Sequence, residues 1–473
     1  MTQGAEIRED SRVPFDEAAL TRAGERLQEF AAALPQDAQA ALRVLLERGR
    51  AAGPVPHAPP PASIFEPAET TLIESLAADP DPAPGDSVAL TVIMKSTRLC
   101  NLRCTYCHSW RDGPNQTMTF PVLAHATRDA LRDPGVRSVD FVWHGGEATL
   151  VPRSFYSKAL WLQERFRRPG QTVVNTVQTN GTRLTDDWLA FLREHDFSVG
   201  VSLDGPPEVH DTRRLDAGGR PTSARVRKGL ERLQAAGITR SGTLMVVDEE
   251  IRKVGAQRLL EYMVEIGVRG VALLNVLPEN TQPGAPPKGD YLPFPSFVDF
   301  LRELFHVWWP TYRDRIVVRE LADLAGQLTG EAPRICVFAG ECFGTYLTVE
   351  PTGEVSACDK YIDDGTYRFG DVLTTGLTGA RVSQQLSLVR EENRRAVERM
   401  RDCRWFGVCH GGCPHDRYTG ERRLPGYDGR CCGLAPLLDD MAATLEEEGL
   451  EVVGRGRSRA AANVNGTGVA LRQ

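Results

Sequence analysis

Cys100, Cys104 and Cys107 fall within eight residues, in the stretch RLCNLRCTYCHSW. Two thiols can pair and four can close on zinc, but three leave a tetrahedral site one ligand short. Zinc fingers divide their ligands between two CxxC-like halves, and no nearby His or Cys completes such a set here. His108 is adjacent to Cys107, and an adjacent side chain seldom reaches the same metal. On a four-iron four-sulfur cluster, three thiolates leave one iron without a protein ligand, free to bind a small molecule.

The other eight cysteines are all C-terminal: Cys336, Cys342, Cys358, Cys403, Cys409, Cys413, Cys431 and Cys432. Core thiols would be scattered, so this segregation points to metal. A zinc ribbon fails on spacing, because no two CxxC pairs stand apart. The N-terminus, MTQGAEIREDSRVPF, is acidic and has no apolar core, so a secretory signal is not expected. No run approaches the ~18 apolar residues of a membrane span. The expected compartment is the cytoplasm, where thiols stay reduced. A net charge of −7 argues against a nucleic-acid surface.

The elements around these cysteines alternate between strand and helix. VALTVIMKS, VRSVDFVWHGGE, TVVNTVQTNGT, FSVGVSLDG, SGTLMVVD and GVALLNVLP read as six strands, with amphipathic helices between them. Such βα units predict an α/β fold, a partial (β/α)6 TIM-like barrel. Chemistry then collects at the carboxyl ends of the strands. The unusual loops CNLRCTYC, HGGEA, QTNGT and LDGPPEVHD all follow strands. The expected division is an N-terminal helical extension with a Pro-rich linker (1–86), the partial barrel (87–293), a helical bridge (294–334), a cysteine-dense domain (335–435), and a helix with a flexible tail (436–473). Amphipathic helices are expected within 15–52, and no internal repeat is present.

CxxxCxxC after the first strand resembles the radical S-adenosylmethionine (SAM) superfamily. That resemblance implies a cluster on Cys100, Cys104 and Cys107 whose open iron chelates SAM. It implies that Tyr106 packs on the adenine. Gly145, Gly146 and Glu147 match the family's GGE, where the glutamate meets the methionine ammonium. Gln178 and Asn180 end the third strand and Ser202 the fourth. Ser202 is expected at the ribose and Arg214 at the SAM carboxylate, with Arg213 a competing candidate. Ordinary turn chemistry is the alternative for Asn180, Ser202 and Asp204. His144 reads as a satisfied turn histidine.

The C-terminal block resembles the SPASM domain, which carries two auxiliary iron–sulfur clusters. Position by position, Cys336, Cys342, Cys358 and Cys413 take the first, and Cys403, Cys409 and Cys431 the second. Met400 stands where the pattern has a further cysteine. Either Cys432 replaces it, or an iron is left open or held by another side chain. Asp359 in CDKY matches a base beside the substrate in anaerobic sulfatase maturases; an exposed turn aspartate is the other reading. CTYCHSW, WHGGEATL and CDKY resemble the Fxs-type peptide maturases. That implies hydrogen abstraction from a side chain of a ribosomally made precursor peptide and a C–C (cyclophane) crosslink. The alternatives are formylglycine formation, thioether crosslinking and, in a different class, a non-catalytic redox sensor. Implied partners are the precursor peptide and a one-electron donor such as flavodoxin or ferredoxin, with no nucleic acid and no membrane.

Overall fold

The computed structural model describes residues 64–81, 88–108, 117–277, 291–361 and 364–454. The helices expected within 15–52 and the tail from 455 lie outside these residues. No helix among the described residues is long and apolar enough to cross a membrane.

All six expected strands form: β1 (Val88–Thr97), β3 (Val136–Gly145), β4 (Thr172–Thr179), β5 (Ser198–Ser202), β7 (Ser241–Val247) and β8 (Gly270–Asn275). They pair in that order, every neighbour parallel. Helices Phe120–Arg132, Arg153–Phe166, Asp186–Glu194, Ser223–Ala235 and Ala256–Glu265 lie in the connections. Parallel strands need such crossovers. Their apolar stripes close on Phe141, Trp143, Tyr156, Leu162 and Val199, all essentially without solvent exposure. A deeply placed amide cluster is satisfied: Trp143 Nε1 donates to Asn175 at 2.8 Å, and Asn175 and Gln163 exchange bonds at 2.8 and 2.9 Å.

Parallel pairing puts Thr97, Gly145, Thr179 and Ser202 on one edge of the sheet. This is the edge where α/β folds hold ligands. Further strands were not read from the sequence. β2 (Leu102–Cys104) and β6 (Arg214–Asp216) make a separate antiparallel pair with Cys104 opposite Arg214. β9 (Val317–Val318) extends the sheet beyond β8. β10 (Tyr346–Val349) pairs parallel with β1, from Thr91↔Tyr346 to Met94↔Val349. β11 (Glu354–Ser356) and β12 (Arg368–Asp371) follow antiparallel. The cysteine-dense segment thus covers the free edge of β1, which would otherwise be a template for aberrant pairing.

A helix at Pro67–Ala78 was also unread. Pro67 occupies its first turn, where proline's missing N–H is harmless. Glu69 accepts from the Glu66 backbone at 2.9 Å and pairs with Lys158 at 2.6 Å. Ile73 and Leu76 are its buried face. Helices Phe294–Thr311 and Arg319–Leu328 precede the cysteine-dense segment, and helix Ala435–Glu447 follows it.

Candidate active site

The loop between β1 and β2 carries Cys100, and β2 ends at Cys104. The loop lies directly over the paired glycines. Gly146 N–H donates to the Thr97 carbonyl at 2.6 Å and Glu147 N–H to the Leu99 carbonyl at 2.8 Å. A Cβ on Gly145 would stand 2.0 Å from the Thr97 oxygen, and one on Gly146 2.1 Å from the Leu99 oxygen. Gly145 also holds a φ of +130°, open to glycine and costly for other residues. The GG pair is therefore a seat for the cysteine loop.

One cleft of about 1050 Å³, its mouth included, is lined by Cys100, Cys104, Cys107, Tyr106, Gly145, Gly146, Gln178, Asn180, Ser202, Arg214 and Asp359. These residues come from four strand ends and from the distant C-terminal segment. Leu244, Val246, Leu274 and Val276 form its apolar floor, and His108 and His144 also face it.

The thiols suit a cationic cluster. Burial pushes Cys100 up to about 12 and Cys104 up to about 11, so they ionise only against positive charge. Cys100 Sγ accepts from Leu102 N–H at 3.3 Å, and Asn180 Nδ2 lies 3.9 Å away. Among the described residues no three His, Cys, Asp or Glu side chains close on a point as a single ion requires.

The other expected residues divide into cleft walls and braces. Gln178 Nε2 donates to Ser202 Oγ at 3.0 Å across β4 and β5. The space is made by Gly200, whose absent Cβ would lie 2.1 Å from Gln178 Oε1. Asn180 lines the cleft but also holds the cysteine loop, donating to Asn101 at 2.9 Å. Glu147 is 1% exposed, next to the glycines that line the cleft. Its carboxylate accepts from Thr149 N–H and hydroxyl at 3.0 and 2.5 Å, Thr179 hydroxyl at 2.6 Å and Asn180 N–H at 2.7 Å. In this arrangement it fastens the end of β3 to the end of β4, because four local donors satisfy a buried carboxylate.

Tyr106 is more than a packing surface. Its hydroxyl donates to Asp204 at 2.6 Å and accepts from Arg214. Arg213 stacks over its ring at 4.8 Å. Arg213 itself is spent inside the protein on Asp204, Asp248 and the Val246 carbonyl. Of the two competing arginines, Arg214 is the one on the cleft. Asp204 is fully buried and accepts Val246 N–H at 3.0 Å. Burial would raise its pKa, but Arg214 and Arg213 outweigh burial and hold it below the usual carboxylate range. Its backbone N–H donates to His210 Nδ1, and His210 Nε2 bonds Thr222. Burial holds that histidine down to about 4, so the motif HDTRR contributes a neutral brace, His210, and a cleft cation, Arg214.

Asp204→Asn leaves buried Arg214 without a carboxylate partner and takes one of two carboxylates from Arg213, which keeps Asp248. The expected loss is about 3–5 kcal/mol, read as a lower urea midpoint of the loaded protein. Because the fold favours the anion, this stabilisation is complete above the ordinary carboxylate pKa and fades as pH falls through the lowered value. A mutant midpoint equal to wild type at neutral pH would remove Asp204 from the supports of the site.

Asp359 is half-buried, with Lys95 Nζ and His144 Nδ1 each 3.7 Å from its Oδ2. Burial would raise its pKa; Lys95, His144 and Arg98 outweigh burial and lower it. This is no exposed turn aspartate. His144 is likewise not a satisfied turn residue: its Nδ1 has no hydrogen-bond partner. Lys95 is completely buried, its ammonium also unbonded and 3.8 Å from Glu350. Arg98 grips Glu350 at 2.7 and 2.5 Å. The sequence carried one signal of this group, an ionisable residue inside the apolar strand VALTVIMKS.

The C-terminal cysteines gather in two sets. Burial raises Cys342, Cys358 and Cys413, and nearby thiolates of the same set, Cys336 among them, add to it. Cys432 Sγ lies 3.4 Å from Cys409 Sγ, and Cys431 bonds both Cys403 and Cys432. Met400 is core, 2% exposed.

Comparison with known proteins agrees. Residues 94–253 match the model of the radical SAM superfamily. The chain is 31% identical over 384 residues to the serine-type anaerobic sulfatase-maturating enzyme of Klebsiella aerogenes, covering 80% of this chain and 91% of that one. It is 28% identical over 333 residues to the cysteine-type enzyme of Clostridium perfringens, covering 68% and 88%. The solved structure of native anSMEcpe with bound AdoMet superposes with a TM-score of 0.64 at 24% identity, covering 75% of this chain and 100% of that one. The chain is a radical SAM enzyme, a class that works with a four-iron four-sulfur cluster and SAM, and it belongs to the family of the anaerobic sulfatase-maturating enzymes.

Proposed function

We propose that this enzyme oxidises a side chain of a ribosomally made peptide by two electrons and joins it to a second residue through a C–C (cyclophane) bond. The observation that carries the oxidation, common to the crosslink and to formylglycine formation, is that Asp359, from the C-terminal segment, opens into the same cleft as Cys100, Cys104, Cys107 and Arg214; the crosslink itself is supported by the resemblance of CTYCHSW, WHGGEATL and CDKY to the Fxs-type maturases. A proton acceptor and a SAM site that share one cleft can act on one substrate atom.

In this reading Cys100, Cys104 and Cys107 hold the first cluster. Arg214 meets the SAM carboxylate, Ser202 and Gln178 the ribose, and Tyr106, Gly145 and Gly146 shape the wall. Bound together, cluster and SAM supply a 5′-deoxyadenosyl radical, able to take hydrogen from an unactivated carbon. Asp359, kept anionic beside Lys95 and His144, accepts the proton that leaves the substrate. The apolar floor excludes water from the site. Cys336, Cys342, Cys358 and Cys413 hold one auxiliary cluster. Cys403, Cys409, Cys431 and Cys432 hold the second, Cys432 replacing the ligand lost at Met400. The bonded chain of thiols through Cys431 supports that substitution. A one-electron carrier of flavodoxin or ferredoxin type would supply the electron that starts turnover, and the auxiliary clusters would take the electron that the substrate gives up as its proton passes to Asp359.

Formylglycine formation is the second reading, favoured by the similarity to serine- and cysteine-type sulfatase-maturating enzymes. Coexpression with a candidate precursor peptide separates them. A loss of two hydrogens, with no reaction toward hydrazide and no backbone fragmentation between two linked residues, is expected for the crosslink. A hydrazide-reactive product overturns it in favour of formylglycine; a product with blocked thiols overturns it in favour of a thioether. Asp359→Asn is expected to lower peptide product about a hundredfold or more, in the range of a lost acid–base group, while 5′-deoxyadenosine is still released.

A further inference from the structure

Cys358, Asp359 and Lys360 are consecutive, yet they serve different surroundings. Asp359 opens into the main cleft. Lys360 lines that cleft too, and also a smaller cavity beside Cys413 and Asp416. Its Nζ lies 3.9 Å from Cys413 Sγ and 3.4 Å from Asp416 Oδ1, with the side chain 15% exposed. Cys413 is also the residue that opens the helix Pro414–Arg423, so backbone N–H dipoles point toward it. Around the other cysteine set, the bonds to sulfur come from thiols and backbone N–H groups, as in Cys432 to Cys409 and Gly433 N–H to Cys431. Among the described residues, the Lys360 ammonium against Cys413 belongs to the first set.

We propose that Lys360 raises the reduction potential of the cluster held by Cys336, Cys342, Cys358 and Cys413. The inference rests on the ligand assignment made above. Reduction adds negative charge to a buried cluster, and a nearby cation stabilises the reduced state. A hydrogen bond to a ligating sulfur acts in the same direction. Asp416 opposes the effect, because its carboxylate partly neutralises the same ammonium. Lys360 and Asp416 therefore form a pair with opposite signs: removing the lysine lowers the potential, and removing the acid raises it. Lys360 is a positioning residue in this role, acting on the cluster through Cys413.

The test uses the full chain carrying Cys100, Cys104 and Cys107 all as alanine, reconstituted with iron and sulfide, so that only the auxiliary clusters remain. Redox titration followed by electron paramagnetic resonance reads their midpoints. Lys360→Met is expected to lower one midpoint by about tenfold in the one-electron equilibrium, which is about 59 mV. Lys360→Arg is expected to restore most of that shift, and Asp416→Asn to move the same midpoint upward. Fully loaded Lys360→Met protein with unmoved midpoints overturns the inference and leaves the ligand assignment standing. If Lys360→Met fails to hold iron, the direction of Asp416→Asn decides: upward supports the proposal, unchanged or downward overturns it. A parent variant that binds no iron overturns the ligand assignment itself, and the inference with it.

Discussion

Alanine at Cys100, Cys104 and Cys107 together is expected to reduce SAM cleavage to background, a loss of roughly a thousandfold or more, or about 4 kcal/mol on the barrier. The three thiols line the cleft with Arg214, Ser202 and Gln178. They are partly buried, and burial keeps Cys100 and Cys104 protonated unless iron is present. Iron content is expected to fall by about a third, one cluster of three, with the C-terminal clusters retained. The checks are 5′-deoxyadenosine release and iron analysis. Undiminished release from the triple variant would remove the cysteine loop from the chemistry.

Gly146→Ala is expected to have the next largest effect. The new methyl would stand 2.1 Å from the Leu99 carbonyl oxygen and 2.5 Å from its carbon. These are backbone atoms of the cysteine loop, held by Glu147 N–H at 2.8 Å. Relief requires the loop to lift, which breaks that bond and moves Cys100. Overpacking against backbone costs about 3 kcal/mol or more. The expected phenotype is selective: the first cluster and SAM cleavage are lost, while the auxiliary clusters stay. At Gly200 the obstacle is the far end of a side chain, Gln178 Oε1, which can swing aside. Equal iron loading in Gly146→Ala and wild type would show that the loop is not seated on the glycines.

The six core strands and their order were legible in the sequence, because each is a short apolar run closed by a turn and each intervening helix an amphipathic period. These signals are local. The cysteine spacing was legible for the same reason, since ligands from one loop sit at fixed sequence distances. Structure at longer range was not. β10 joins the edge of β1 far along the chain, Thr91 pairing with Tyr346, and no local period encodes a partner that distant.

The side chains follow the same division. By itself the sequence determined the thiol set, the paired glycines, and a pair of adjacent arginines of which one must face the site. Tertiary structure decided that Arg213 turns inward to Asp204 and Asp248 while Arg214 faces the cleft. It decided that Glu147 turns to Thr149, Thr179 and Asn180. It alone brought Lys95 and His144 to Asp359. The physical reason is that residue type and spacing fix which groups are offered, whereas strand register and packing select which face each group takes and what charge it meets there.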